Sequence, residues 1–157
     1  MTSPDATKIP FASRADRKAV ESALAFAPKF DDNGLIVAIA CDHVTNDVLM
    51  VAYMNEESLR MTLEIGEAVY YSRSRQEIWH KGATSGHVQK VKSISTDCDQ
   101  DALVLKVEQV GAGCCHVGYP SCFYRDVPLA KDVAESEVYP LTQTGDQSYD
   151  PNEVYKK

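Results

Sequence analysis

The chain has no apolar run approaching the roughly 18 residues that a membrane-crossing helix needs. Its opening MTSPDATKIP carries an acid, Asp5, and two prolines where a secretory leader would carry an apolar core. The expectation is a cytoplasmic protein with no membrane partner. An excess of positive charge is missing too: 16 Lys and Arg stand against 23 Asp and Glu, a formal net charge of -7. Non-specific binding to nucleic acid depends on a cationic surface, so no nucleic-acid partner is expected, and an anionic small molecule would need a local basic patch. Five cysteines, Cys41, Cys98, Cys114, Cys115 and Cys122, cannot all pair. With nothing pointing to an oxidising compartment, metal ligation outranks a disulfide framework. Internal repeats and low-complexity runs are absent.

What is present fits one globular domain: 157 residues, 44% hydrophobic and 25% charged. The organisation expected is a disordered N-terminus over 1–13, a folded domain over 14–127 and an acidic tail over 128–157, loosely wrapped or mobile. RADRKAVESALAFA spaces Ala19, Val20, Ala23 and Leu24 as a short amphipathic helix ending before Pro28. NGLIVAIAC and DVLMVAYM read as a hairpin turning at Thr45, Asn46 and Asp47. Asn55 caps a helix over EESLRMTLEI, with Glu56 and Glu57 at its positive end and Gly66 as its stop. AVYYSRS, EIWHK, HVQKVKSIS, ALVLKVEQ and SCFYRDV then read as strands. The fold class predicted is a β-dominated α+β architecture of mixed or antiparallel strands with two short helices.

Chemistry concentrates in three places. In STDCDQD, a strand would send Asp97, Asp99 and Asp101 to one face and Cys98 to the other. Carboxylate oxygen suits Mg²⁺ and thiolate suits Zn²⁺, so one stretch is expected to feed two metals. A calcium loop counted from Asp97 puts Ala102 where a glycine must turn, and strands flank it, so that reading fails. CCHVGYPSC offers Cys115 and Cys122, bent together by Gly118 and Pro120. With Cys98 they make three thiolates, the count that leaves water the fourth zinc position. Closure by Cys114 or His116 would instead give a structural site.

His116 beside such a site is a candidate general base. In YYSRSRQEIWHKGATSGHVQKVK, the cations Arg73, Arg75, Lys81, Lys90 and Lys92 face one acid, Glu77. With Ser72, Ser74, Thr84 and Ser85 they can cradle phosphate, and Trp79 can stack on a base.

The segments GLIVAIACDHVTNDVLMVAYMNEESL, GEAVYYSRSRQEIWHKGATSGHVQKV, DCDQDALVLKVEQ and CHVGYPSCFYR resemble phosphoribosyl-AMP cyclohydrolase, in order, from about Gly34 to Arg125. The resemblance implies Mg²⁺ on Asp97, Asp99 and Asp101. It also implies Zn²⁺ on Cys98, Cys115 and Cys122, shared between the subunits of an intertwined homodimer. The implied substrate is a small-molecule nucleotide, AMP carrying a second phosphoribosyl group on N1, whose C6 is attacked by a zinc-activated water until the N1–C6 bond opens. Two rival readings remain. One is another zinc-dependent nucleotide hydrolase or deaminase, whose usual H-x-E with P-C-x-x-C is missing. The other is a zinc-stapled binding module.

Overall fold

The structure, a computed structural model describing residues 4–154, is strand-rich with one curled mixed sheet. Residues 1–3 of the N-terminus expected to be disordered, and 155–157 of the tail, lie outside the described residues. Chain order is α1 (Arg17–Ser22), β1 (Ile36–Asp42), β2 (Val48–Met54), α2 (Glu56–Ile65), β3 (Val69–Ser72), β4 (Glu77–His80), β5 (Gln89–Thr96) and β6 (Ala102–Gln109). Then come β7 (Arg125–Asp126), a 3-10 turn (Ala130–Asp132), β8 (Thr142–Gln143) and α3 (Pro151–Val154). The main sheet runs β4-β3-β2-β1-β6-β5, antiparallel throughout except at β1 and β6, which pair in parallel from Val37 with Ala102 to Asp42 with Val107.

Alternation builds the core. Ile36, Ala38 and Ala40 of β1 sit beside Leu103, Leu105 and Val107 of β6, all essentially without solvent contact. Helix α2, set against β3 and β2, adds Leu59 to this core. Its ends are as the sequence predicts: Asn55 Oδ1 accepts from Ser58 N at 2.8 Å, Ser58 Oγ accepts from Asn55 N at 2.9 Å, and Gly66 closes it in the left-handed region at φ 74°. Phe11 packs edge-on against Phe26, ring centres 5.5 Å apart, under the Arg60 guanidinium at 4.1 Å.

Four local expectations need correction. Helix α1 stops at Ser22, where Ala23 takes an extended backbone and the chain bends over residues 23–25, leaving Leu24 fully exposed. Continuing the helix would gain only a few tenths of a kcal/mol per residue. It would also withdraw Val20 O, Ala25 O and Ala27 N from the buried Gln100 amide, and each bond broken there costs about 1–3 kcal/mol. Tertiary bonding wins. SCFYRDV is a strand only at Arg125–Asp126, because Ser121 Oγ and Cys122 N instead donate to Val48 O and Leu49 O at 2.7 Å each, tying a loop to β2. The helices number three among the described residues, not two: Pro151 opens α3, where its missing N–H is no loss. Residues 97–101 are a turn rather than a strand.

The tail does not hang free over 142–149. Strand β8 pairs with β7, Gln147 Nε2 donates to Val117 O at 2.8 Å, and Ser148 N donates to Gly118 O at 2.7 Å.

Candidate active site

The turn between β5 and β6 brings the three predicted aspartates together by a route other than strand alternation. Asp97 Oδ1 accepts from Asp101 N at 3.0 Å and Ala102 N at 3.2 Å, and Gln100 turns the chain in the left-handed region at φ 57°. One carboxylate oxygen from each of Asp97, Asp99 and Asp101 lies within 4.8 Å of the others, on an exposed surface. Burial alone would raise Asp97, but hydrogen bonds from Asp101 outweigh it and hold the carboxyl below its usual range. The same bond to Asp97, with like charge close by, pushes Asp101 up. Three crowded carboxylates of this kind fit a hard cation such as Mg²⁺, which relieves their repulsion. Cys98, exposed on the same turn, lines a separate hollow with Ala23, Leu24 and Phe26.

A second centre lies between β4 and the cysteine loop. A cleft of about 570 Å³ is lined by Arg75, Trp79, Lys81, Thr84, Ser85, His116, Cys114 and Cys122. It joins six of the predicted site residues with one of the expected zinc thiols, Cys122. Cys115 is buried just outside the cleft lining. Cys114 lines the cleft, packs into the hydrophobic core, donates its thiol to Leu49 O at 3.1 Å and lies 4.0 Å from the Cys122 sulfur. Two thiolates at about 2.3 Å from a tetrahedral zinc stand about 3.8 Å apart, a spacing that the Cys114–Cys122 pair matches, while no three thiols gather to it among the described residues of one chain. The bond with Cys122, with help from the Lys81 charge, draws Cys114 below the ordinary thiol range, whereas that bond and burial push Cys122 up. Burial raises Cys115. Within one chain, Cys98 is not gathered with these thiols among the described residues.

Lys81, one of the cations expected to cradle phosphate, lines this cleft from a buried position. It is 5% exposed, donates Nζ to Cys114 O at 2.6 Å and sits 5.4 Å from the centre of the Trp79 ring. Ser72, Arg73 and Ser74 line a neighbouring cleft of about 600 Å³ that shares Arg75 and Trp79 with the first. Tyr53, which sequence reasoning missed, carries the Arg73 guanidinium at 4.0 Å and also lines a hollow with Asp101. Its place in a strand of apolar residues gave no signal.

A strand-rich scaffold holding thiols, an imidazole and cations around one cleft defines an enzyme for small anionic molecules. Residues 50–124 match the family model described as phosphoribosyl-AMP cyclohydrolase. The chain is 51% identical over 138 residues to the phosphoribosyl-AMP cyclohydrolase of Bradyrhizobium diazoefficiens, covering 88% of this chain and 95% of that protein. It is 48% identical over 139 residues to that of Rhodopseudomonas palustris strain TIE-1, covering 88% and 89%. It is 54% identical over 123 residues to that of Desulforapulum autotrophicum, covering 78% and 92%. The chain belongs to the phosphoribosyl-AMP cyclohydrolase family.

Proposed function

We infer that this enzyme hydrolyses the N1–C6 bond of 1-(5-phosphoribosyl)-AMP, opening the purine in the third step of histidine biosynthesis. The observation that carries this is identity near half, over most of both chains, to proteins bearing that name. In the finer reading, Cys115 and Cys122 of one subunit and Cys98 of its partner hold Zn²⁺, and Asp97, Asp99 and Asp101 hold Mg²⁺. Zinc there supplies acidity to a water, and magnesium supplies positive charge. Support for a second copy comes from the sheet's outer face. Val37, Ile39, Val51, Tyr53 and Val104 are only partly covered on the side opposite the core, where a solvated sheet would be polar.

Arg75 and Trp79 stand where the two clefts meet. Trp79 stacks on the purine, and Arg73, Arg75, Ser72 and Ser74 grip one phosphate, with Thr84 and Ser85 at the other end of the cleft. These groups fix C6 toward the thiol wall. His116 lines that wall, where an imidazole nitrogen accepts a proton from the attacking water. The Lys81 ammonium ties Cys114 O to the β4 edge and offsets the negative charge of neighbouring thiolates. C6 keeps its exocyclic amine as a carboxamide, so no ammonia leaves. The test is incubation of the nucleotide with pure protein: the purine absorbance should be lost without ammonia. Ammonia release would make the protein a deaminase, and tight zinc without turnover would make it a binding module.

A further inference from the structure

Between the second and third aspartates stands a residue that faces the other way. Gln100 is 5% exposed, and its amide is spent on the N-terminal segment: Oε1 accepts from Ala27 N at 2.8 Å, and Nε2 donates to Val20 O at 2.9 Å and Ala25 O at 3.4 Å. Its own backbone carbonyl accepts from Lys29 N at 2.7 Å. One residue earlier, Asp99 O accepts from Arg14 Nη2 at 2.9 Å, and the same guanidinium also donates to Ala27 O. The turn therefore has two sides, with exposed carboxylates outward and a fully bonded amide inward.

We propose that Gln100, seconded by Arg14, is a positioning residue for the aspartate cation site. The N-terminal segment over 14–29, outside the stretch matched by the family model, is thereby part of that site's scaffold. The proposal rests on the reading that the aspartates take Mg²⁺. Three carboxylates within 4.8 Å repel one another, and φ 57° is unfavourable for a residue with a side chain. Neither would persist in an untethered loop. The inward bonds hold the oxygens in place before the cation arrives, so the cation need not order the turn as it binds. Neither Gln100 nor Arg14 is placed to touch the cation; both act through the backbone that carries its ligands.

Mn²⁺ serves as the probe, titrated by electron paramagnetic resonance into zinc-loaded wild type, Asp99→Asn, Gln100→Gly and Arg14→Ala. Glycine accepts the left-handed turn freely, so Gln100→Gly removes the anchor without adding backbone strain. Both Gln100→Gly and Arg14→Ala should bind Mn²⁺ about tenfold more weakly, the loss of one or two buried hydrogen bonds, with zinc content unchanged. After chelation, more Mg²⁺ should be needed to restore half of the activity, while kcat at saturating Mg²⁺ stays at the wild-type value. If Asp99→Asn weakens binding while Gln100→Gly and Arg14→Ala bind like wild type, the positioning role is overturned and the Mg²⁺ reading stands. If wild type binds no Mn²⁺, or Asp99→Asn binds as well as wild type, the Mg²⁺ reading falls and takes this inference with it. Should Gln100→Gly not fold, Arg14→Ala decides alone.

Discussion

Adjacent cysteines at 114 and 115 pose the sharpest question at the scale of single residues. Cys114 is packed into the core and already bonded to Leu49 O, whereas Cys115 keeps the spacing to His116 and Cys122 that the sequence resemblance requires. Cys98→Ala, Cys115→Ala and Cys122→Ala should each come out of purification without zinc. Cys114→Ala should keep zinc and lose some thermal stability. Zinc measured by atomic absorption checks this, and a zinc-free Cys114→Ala beside a zinc-loaded Cys115→Ala would move the ligand by one position. Arg73 and Arg75 line the second cleft as cations that no working pH neutralises, so they bind and do not exchange protons. Replacing either with Ala should raise KM by about 10- to 100-fold, the worth of a charge-assisted hydrogen bond, with a smaller fall in kcat. Steady-state kinetics in which both variants keep the wild-type KM would remove them from the phosphate site.

Elements were legible in the sequence wherever local chemistry decides them. Asn55, Glu56 and Gly66 mark helix α2 to the residue, because its caps bond within the segment itself. The turn at Asp97–Asp101 was not legible. Alternating Asp and Cys imitates a strand, while its real shape depends on Arg14, 85 positions away, and on a glutamine whose inward direction no spacing reveals. The cysteine loop and tail hide likewise, since Gln147 and Ser148 bond to carbonyls at Val117 and Gly118 that carry no sequence signature. The β1–β2 hairpin permits a pH test. Asp42 Oδ2 accepts from Thr45 N at 2.8 Å and Val44 N at 3.0 Å, and the Thr45 bond above all lowers its pKa. A carboxyl with a depressed folded-state pKa stabilises while ionised. Its contribution is present above the unfolded aspartate value of about 4 and is lost as pH falls through the folded value. Asp42→Asn should therefore unfold at a lower Tm than wild type at about pH 7, with the gap closing below about pH 4. A gap that stays constant across this range would show that the charge is not what holds the turn.

For the whole molecule, the proposal that zinc is shared between two subunits makes a prediction that no single chain can satisfy. Cys98→Ala and Cys115→Ala should each be inactive alone. Unfolded together and refolded with zinc, they should form mixed dimers in which one of two sites has all its ligands. Random pairing gives half mixed dimers, so activity should recover to about a quarter of wild type. No recovery would mean that each chain completes its own site. The sheet's layout carries a different consequence, for the order in which the molecule is made. Strands β1 to β4 form one antiparallel run and β5 with β6 another, joined where β1 lies in parallel along β6 and by a short bridge between the chain just before β3 and β5 at Glu67 and Lys90. On the ribosome the first run is finished while β6 has yet to be translated, so β1 waits with an open hydrogen-bonding edge at what will become the middle of the sheet. Closing a contact between Val37 and Ala102 is slow compared with closing a hairpin. The growing chain is therefore most exposed to pairing with a neighbour's edge during the interval that ends when β6 emerges.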